Sequence, residues 1–238
     1  MIPVLLGISF ILFSILNLTS GNPARIILGE GASEEAVAEL EEEMGLNDPF
    51  FVRYGRYIAG VCTGNFGTSY TTGRLVSEEI LTRFPTTIRL AFCGIIFAVL
   101  VGIPIGIISA IRQYSLIDNI SLIGTMILTS MPGFWLGLML ILVFSLNLGL
   151  LPTSGADSWR HMILPTITVS AASLATLIRM TRTTMLEVIR QDYIRTAKSK
   201  GATEKQIIVK HALRNALIPV ITVIGIQFGT LLGGAVIT

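Results

Sequence analysis

Five stretches of the chain are almost wholly apolar: residues 2–18, 88–111, 120–148, 163–180 and 217–238. A helix needs about 20 largely apolar residues to cross a bilayer core, and only closed hydrogen-bonding structures can do so. The pattern therefore predicts five spans. The first begins at the amino terminus without the basic flank or small-residue cleavage site of a signal peptide. The third contains Met131-Pro132-Gly133, which predicts a kink.

Between the spans the pattern changes to punctuated amphipathic segments. In residues 19–87 Ser33 can cap a helix, Glu34 and Glu35 suit its positive end and Gly45 can end it. Asp48-Pro49 then turns the chain into a stretch bearing Phe50, Phe51, Tyr54, Tyr57 and Ile58. Gly64, Gly67 and Ser69 precede a further segment from Leu75 to Phe84, which Pro85 is expected to end. A small helical cap is expected, or a docking surface for a partner that delivers substrate; the run Glu41-Glu42-Glu43 reads as a solvated face.

The loop 181–216 carries the densest set of stop and start signals. Asp192 is a plausible N-cap, Lys198 and Lys200 fall in a last turn, and Gly201 is placed to end that helix. Thr203-Glu204-Lys205-Gln206 follows at once as a capping box, and Ile207, Ile208, Ala212 and Leu213 supply an apolar stripe. Two short helices meeting at a glycine turn outside the bilayer are predicted. A loop that merely carried positive charge would need no such capping.

Composition settles the class. The 238 residues are 52% hydrophobic and 13% charged, with mean hydropathy +0.74. Soluble domains carry about 25% charged residues, so this chain cannot clothe itself in polar surface and a water-soluble monomer is excluded. Its net charge of +2 gives no case for nucleic acid, and two cysteines exclude both a disulfide scaffold and a cysteine metal cluster. Lysines and arginines concentrate in loop 181–216, with Arg112 in the short loop before span three. By the positive-inside rule these loops are cytoplasmic, as is the amino terminus, and the acidic segment 19–87 faces outward.

Small residues four apart permit close helix approach in a membrane. Gly94, Ala98, Gly102 and Gly106 stand in that register, as do Gly133 and Gly137, and Gly225, Gly229 and Gly233. Hydroxyls and one amide, Thr125, Thr129, Ser130, Ser170, Ser173 and Gln227, are candidates for a translocation path; bonding to their own helix carbonyls is the competing expectation. No Asp, Glu, Lys or Arg falls mid-span, which counts against a proton-coupled carrier. A sodium site built from carbonyls at a broken helix stays open at Pro132-Gly133.

No metalloprotease, CxxC, Walker A or dinucleotide motif occurs. Asp157, Ser158 and His161 are three residue types of a hydrolase triad, but no nucleophile elbow surrounds Ser158. His161 reads as an interfacial polar residue and His211 as a contact residue. Neither a catalytic residue nor a metal ligand nor a cofactor is expected, and nucleotide chemistry must come from another chain.

The run from Asp192 to Gly201, followed by His211-Ala212-Leu213-Arg214-Asn215-Ala216-Leu217-Ile218-Pro219, resembles the signature loop of binding-protein-dependent ABC importer permeases. It is similar to the first permease subunit of the dipeptide, oligopeptide and nickel branch. Where the general pattern has Glu-Ala-Ala this chain has Arg195-Thr196-Ala197, and its later proline stands at Pro219, as in that branch. The segments Gly64-Asn65-Phe66-Gly67-Thr68-Ser69, Arg83-Phe84-Pro85-Thr86-Thr87 and Met131-Pro132-Gly133-Phe134-Trp135 resemble the same subunit.

The resemblance implies an all-α, polytopic transmembrane bundle of the type I ABC importer kind, with residues missing at both ends. It implies a second permease subunit, two ATP-binding subunits and an extracytoplasmic binding protein as partners, in the lipid bilayer of the cell membrane. Asp192, Tyr193, Arg195, Thr196, Ala197, Lys198, Lys200, Gly201, Ala202, His211, Arg214, Asn215 and Pro219 would then form the element that docks on an ATP-binding subunit. Cargo would be a di- or oligopeptide, or a related solute such as a glutathione-like compound or a nickel chelate. A secondary carrier or channel driven by an ion gradient is the alternative.

Overall fold

The computed structural model describes residues 1–18, 21–29, 31–155 and 158–234. Every regular element among them is helical: α1 (Ile2–Leu18), α2 (Pro23–Leu28), α3 (Glu34–Glu43), α4 (Phe50–Cys62), α5 (Val76–Ile111), α6 (Leu116–Ser130), α7 (Gly133–Leu140), α8 (Trp159–Ile189), α9 (Asp192–Ser199), α10 (Glu204–Gln206) and α11 (Leu213–Gly234). Two π-helical segments, Ile141–Asn147 and Ile207–Ala212, follow α7 and α10 without a break.

The chain divides into two compact units, Met1–Phe84 and Pro85–Thr238. In the first, the expected caps are seen: Ser33 Oγ accepts from the Ala36 amide, and Gly45 follows α3 at φ +65°. Asn22 caps α2 by accepting from the Ala24 amide. Glu42 and Glu43 are exposed as expected, but Glu41 is half-buried and accepts a hydrogen bond from the Asn22 amide group. The aromatic face of α4 packs on α1, with Phe50 and Tyr54 against Phe10 and Phe13 at ring-centroid distances of 5.2 to 5.6 Å. Tyr54 also donates its hydroxyl to the Leu6 carbonyl. Edge-on rings add to the apolar burial.

In the second unit, α8 is the central element, packed along α6, α7 and α11. The small-residue register of α5 is used here. A Cβ on Gly102 would lie 3.2 Å from Leu177 Cβ, and one on Gly106 would lie 2.7 Å from Thr181 Cβ. Gly137 likewise meets Thr168 at 3.3 Å. By contrast, Gly133, Gly225, Gly229 and Gly233 have nothing within 4 Å of a Cβ position. The α11 register therefore packs against no helix among the described residues.

Among the described residues three helices are long and apolar enough to cross a membrane: Val76–Ile111, Trp159–Ile189 and Glu204–Gly234. A fourth span results if the pair Leu116–Ser130 and Gly133–Asn147 is counted as one, although the two halves bend by 105° at Met131-Pro132. The kink read from Pro132 is thus a sharp break. Helix α1 has 17 residues, about 26 Å at 1.5 Å per residue, and every one of its residues is exposed or half-buried.

Two helix boundaries differ from the sequence expectation. Pro85 does not end a helix; α5 runs through it and through Pro104. Proline in a helix interior removes one backbone bond, a loss that apolar packing on either side can outweigh. The helix that begins at the Thr203 box is not a separate short one either. It continues from Glu204 through Gly234 as one element, past Pro219, because no stop signal stands between Gln206 and the last span.

Candidate functional site

The most strongly structured polar element is the elbow between α8 and α11. Gln191, with extended backbone, is the residue before α9, so Asp192 is the first helical residue and not the cap. At its negative charge there it still complements the helix dipole. Lys198 lies in the last turn, as expected, whereas Lys200 is the C-cap.

Gly201 sits at φ +83°, its amide donating to the Lys198 carbonyl at 2.9 Å while the Ala202 amide donates to Ala197 at 3.1 Å. This pair of bonds is a Schellman cap, and the left-handed residue in it is the reason glycine stands at 201. Two residues on, Thr203 Oγ1 accepts from the Gln206 amide at 3.4 Å and Gln206 Oε1 accepts from the Thr203 amide at 3.0 Å. The capping box read from the sequence is present.

The two arms of the elbow are joined. Asn215 Nδ2 donates to Tyr193 Oη at 3.0 Å and to the His211 carbonyl at 3.1 Å. Beneath them Ile194 of α9, Ile207 and Ala212 of the π-helical segment, Ala216 of α11, Met185 of α8 and Ala110 of α5 form one buried apolar cluster. At about 25 cal/mol per Å² of apolar surface, such a cluster fixes α9 to three other helices. Asp192, Tyr193, Arg195, Thr196, Lys198, Lys200, Gly201, Arg214, Asn215 and Pro219 are exposed, and Ala197, Ala202 and His211 half-buried. Arg195 pairs with Asp192 at 3.4 Å. The result is a rigid turn with an apolar underside and a polar, largely basic outer face.

One feature of the elbow's foundation was not read from the sequence. Asp118, in the first turn of α6, is 1% exposed and accepts from Arg182 Nε at 2.6 Å and Arg182 Nη2 at 2.8 Å. Ser109 Oγ and the Tyr114 amide also donate to it. All four bonding directions of the carboxylate are used. A bidentate guanidinium–carboxylate pair is directional as well as strong, and removing one partner of a buried pair costs about 3–5 kcal/mol.

Three of the candidate path residues bond to carbonyls of their own helices. Thr125 is buried and donates to the Leu122 carbonyl, Thr129 donates to Thr125, and Ser170 donates to Ile167. Ser173 is buried, Gln227 half-buried and Ser130 exposed. A cavity of about 320 Å³ lies beside the α6–α7 break, lined by Phe134, Gly137, Pro152, His161, Pro165 and Thr168. A second, of about 580 Å³, lies between α5 and α8, with Arg89, Cys93, Phe97, Trp159, Met162 and Thr166 among its walls. None of the six lines either.

Ser158 and His161 are brought together, but as a cap. His161 Nδ1 accepts from the Ser158 amide at 3.2 Å and lies 2.9 Å from Ser158 Oγ at the start of α8. Asp157, the third residue of the triad pattern, lies outside the described residues. Among the described residues no cluster of three or more His, Cys, Asp or Glu side chains could hold a metal ion.

Residues 102–238 match the family of binding-protein-dependent transport system inner membrane components, and residues 1–91 match the N-terminal region of the same kind of membrane component. The chain belongs to this family. It is 44% identical to the dipeptide transport system permease protein DppB of Alkalihalophilus pseudofirmus, over all of this chain and 80% of that protein. It is 43% identical to the glutathione transport system permease protein GsiC of Salmonella paratyphi A and 40% identical to GsiC of Escherichia coli, over all of this chain and 78% of each.

The fold is accordingly the all-α bundle of a type I ABC importer permease, and the chain is a multi-pass membrane protein of a transport system. The family is one of transporter permease subunits. Family membership also gives the exposed apolar residues of the second unit, such as Leu100, Ile218 and Ile226, a bilayer or a partner helix to face.

Proposed function

We propose that this permease carries di- or oligopeptides, or a related small solute, inward by alternating access, driven by ATP hydrolysis on separate subunits that dock on the elbow. The observation that carries the reading is the elbow's construction. A Schellman cap at Gly201, a capping box at Thr203 and an apolar cluster under Ile194 fix a basic surface to the foot of α5, α8 and α11. A loose loop would absorb the motion of a docked partner; this one passes it on to the helices.

The continuity of Glu204–Gly234 strengthens the reading. Force on the elbow acts on the end of a membrane-length helix without an intervening joint. The elbow and the amino terminus lie on the cytoplasmic side in this account, and an extracytoplasmic binding protein delivers cargo to the other side. A second permease subunit completes the path, with Thr125, Thr129, Ser130, Ser170, Ser173 and Gln227 as candidate lining residues. The dipeptide and glutathione names of the relatives support a peptide-like cargo.

The test is uptake of labelled di- and tripeptides into proteoliposomes holding the complete transporter. Uptake that requires internal or external ATP on the elbow side and stops on its depletion supports the proposal. Uptake that survives ATP depletion while an ion gradient is maintained refutes it in favour of a secondary carrier.

A further inference from the structure

The apolar cluster beneath the elbow joins α5, α8, α9 and α11, but no residue of α6 belongs to it. Yet α6 leads to the 105° break at Met131-Pro132. Its foot is held to α8 by the pair of buried Asp118 and half-buried Arg182, and the same carboxylate takes the Ser109 hydroxyl of α5 and the Tyr114 amide of the connecting turn. Tyr114 itself adopts φ +63°, a left-handed conformation that costs a non-glycine residue free energy, and its amide is aimed at Asp118 there.

We propose that Asp118 and Arg182 are positioning residues, a strut that carries displacement of the elbow into the bent α6–α7 helix as well as into α8 and α11. The proposal rests on the reading of the elbow as the docking element for an ATP-binding subunit.

Stability alone does not account for the pair. Well-packed apolar residues of the same volume hold two helices together as well as or better than a buried ion pair. What the fork adds is direction. Apolar helix surfaces slide past one another in shear motions, whereas two parallel N–H···O bonds within 0.2 Å of each other in length fix rotation and translation together. Arg182 lies one turn before Met185, a member of the elbow cluster, so it moves with that cluster. Leverage follows from length: α6 has 15 residues, and over about 22 Å a tilt of about 10° at its foot moves its far end by about 4 Å.

The experiment uses the complete transporter in proteoliposomes, measuring ATP hydrolysis and uptake in the same preparation. Two variants are compared: Asp118→Leu combined with Arg182→Met, which replaces the pair by apolar volume, and Arg182→Lys, which keeps the charge and loses the fork. We expect the paired variant to assemble and hydrolyse ATP while uptake per ATP falls about tenfold, with Arg182→Lys in between. Uptake per ATP unchanged in the assembled paired variant overturns the strut, as does a parallel fall of hydrolysis and uptake. If the paired variant fails to assemble, Arg182→Lys decides by the same ratio. Gly201→Val serves as the control: if it uncouples and the strut variants do not, the elbow stands and the strut falls. If Gly201→Val leaves the ratio unchanged, both readings fall.

Discussion

Gly201→Val is the perturbation whose effect is best defined by the structure. Beyond its two chain neighbours nothing lies within 4 Å of a Cβ at position 201, so the cost is chiefly that of the backbone. Forcing an L-residue into the left-handed region costs about 1–2 kcal/mol, with a β-branched side chain at the upper end. Relief of that strain breaks the two Schellman bonds from Gly201 and Ala202, each about 1 kcal/mol net. A shift of about 2 kcal/mol is roughly a 30-fold change in an equilibrium constant, here between the fastened and the frayed end of α9. The expected result is loss of ATP-driven uptake, with membrane insertion and assembly intact. Asn, which visits the left-handed region readily, should retain most uptake at this position, and Ala should fall between. Measured as uptake per ATP in proteoliposomes, the order Gly, Asn, Ala, Val is predicted. Equal uptake by the Asn and Val variants would refute the reasoning, because then the left-handed conformation does not matter to function.

Other substitutions probe the remaining geometry. Gly106→Ala puts a methyl group 2.7 Å from Thr181 Cβ and 2.8 Å from the Ile178 carbonyl; overpacking of this kind costs about 1–3 kcal/mol, visible as a lower melting temperature in detergent. Gly124→Ala, with nothing within 4 Å, should leave it unchanged or raise it; equal losses in the two would contradict the α5–α8 crossing. Ser158→Ala and His161→Ala each remove a member of the α8 capping box and should cost about 1 kcal/mol of stability while uptake per ATP is retained. A loss of turnover without a change in melting would instead revive a nucleophilic role for Ser158.

Local signals proved the most legible part of this chain. Ser33, Gly45, Gly201 and the Thr203–Gln206 pair each act through bonds spanning five residues or fewer, so residue type and spacing suffice to read them. The apolar runs 88–111, 163–180 and 217–238 mark the three membrane-length helices, the run 2–18 forms a shorter helix, and Pro132 marks the place of the break in the run 120–148 though not its size. At Pro85 a local breaker is overridden by packing, and at Leu217 the change from basic to apolar residues marks no helix end because no stop signal stands there. The Asp118–Arg182 pair was invisible because its partners stand 64 residues apart, and Arg182 looked like one more basic residue of a cytoplasmic loop. Of the three small-residue registers, the α5 positions and Gly137 of α7 meet α8, while Gly133 and the α11 register find no neighbour among the described residues. Spacing shows that a close approach is allowed, and only the fold shows which helix makes it.

Placement of the elbow is tested most directly by cross-linking in the native membrane. Single cysteines at Lys198 and Ala202, in a background with Cys62 and Cys93 replaced, are paired with cysteines on the ATP-binding subunit. The account predicts cross-links that form in intact cells, change in yield with ATP, and are protected from membrane-impermeant thiol reagents added outside. Labelling of Lys198→Cys by an external impermeant reagent, or failure of both positions to cross-link in a transporter that remains assembled and active, would contradict it.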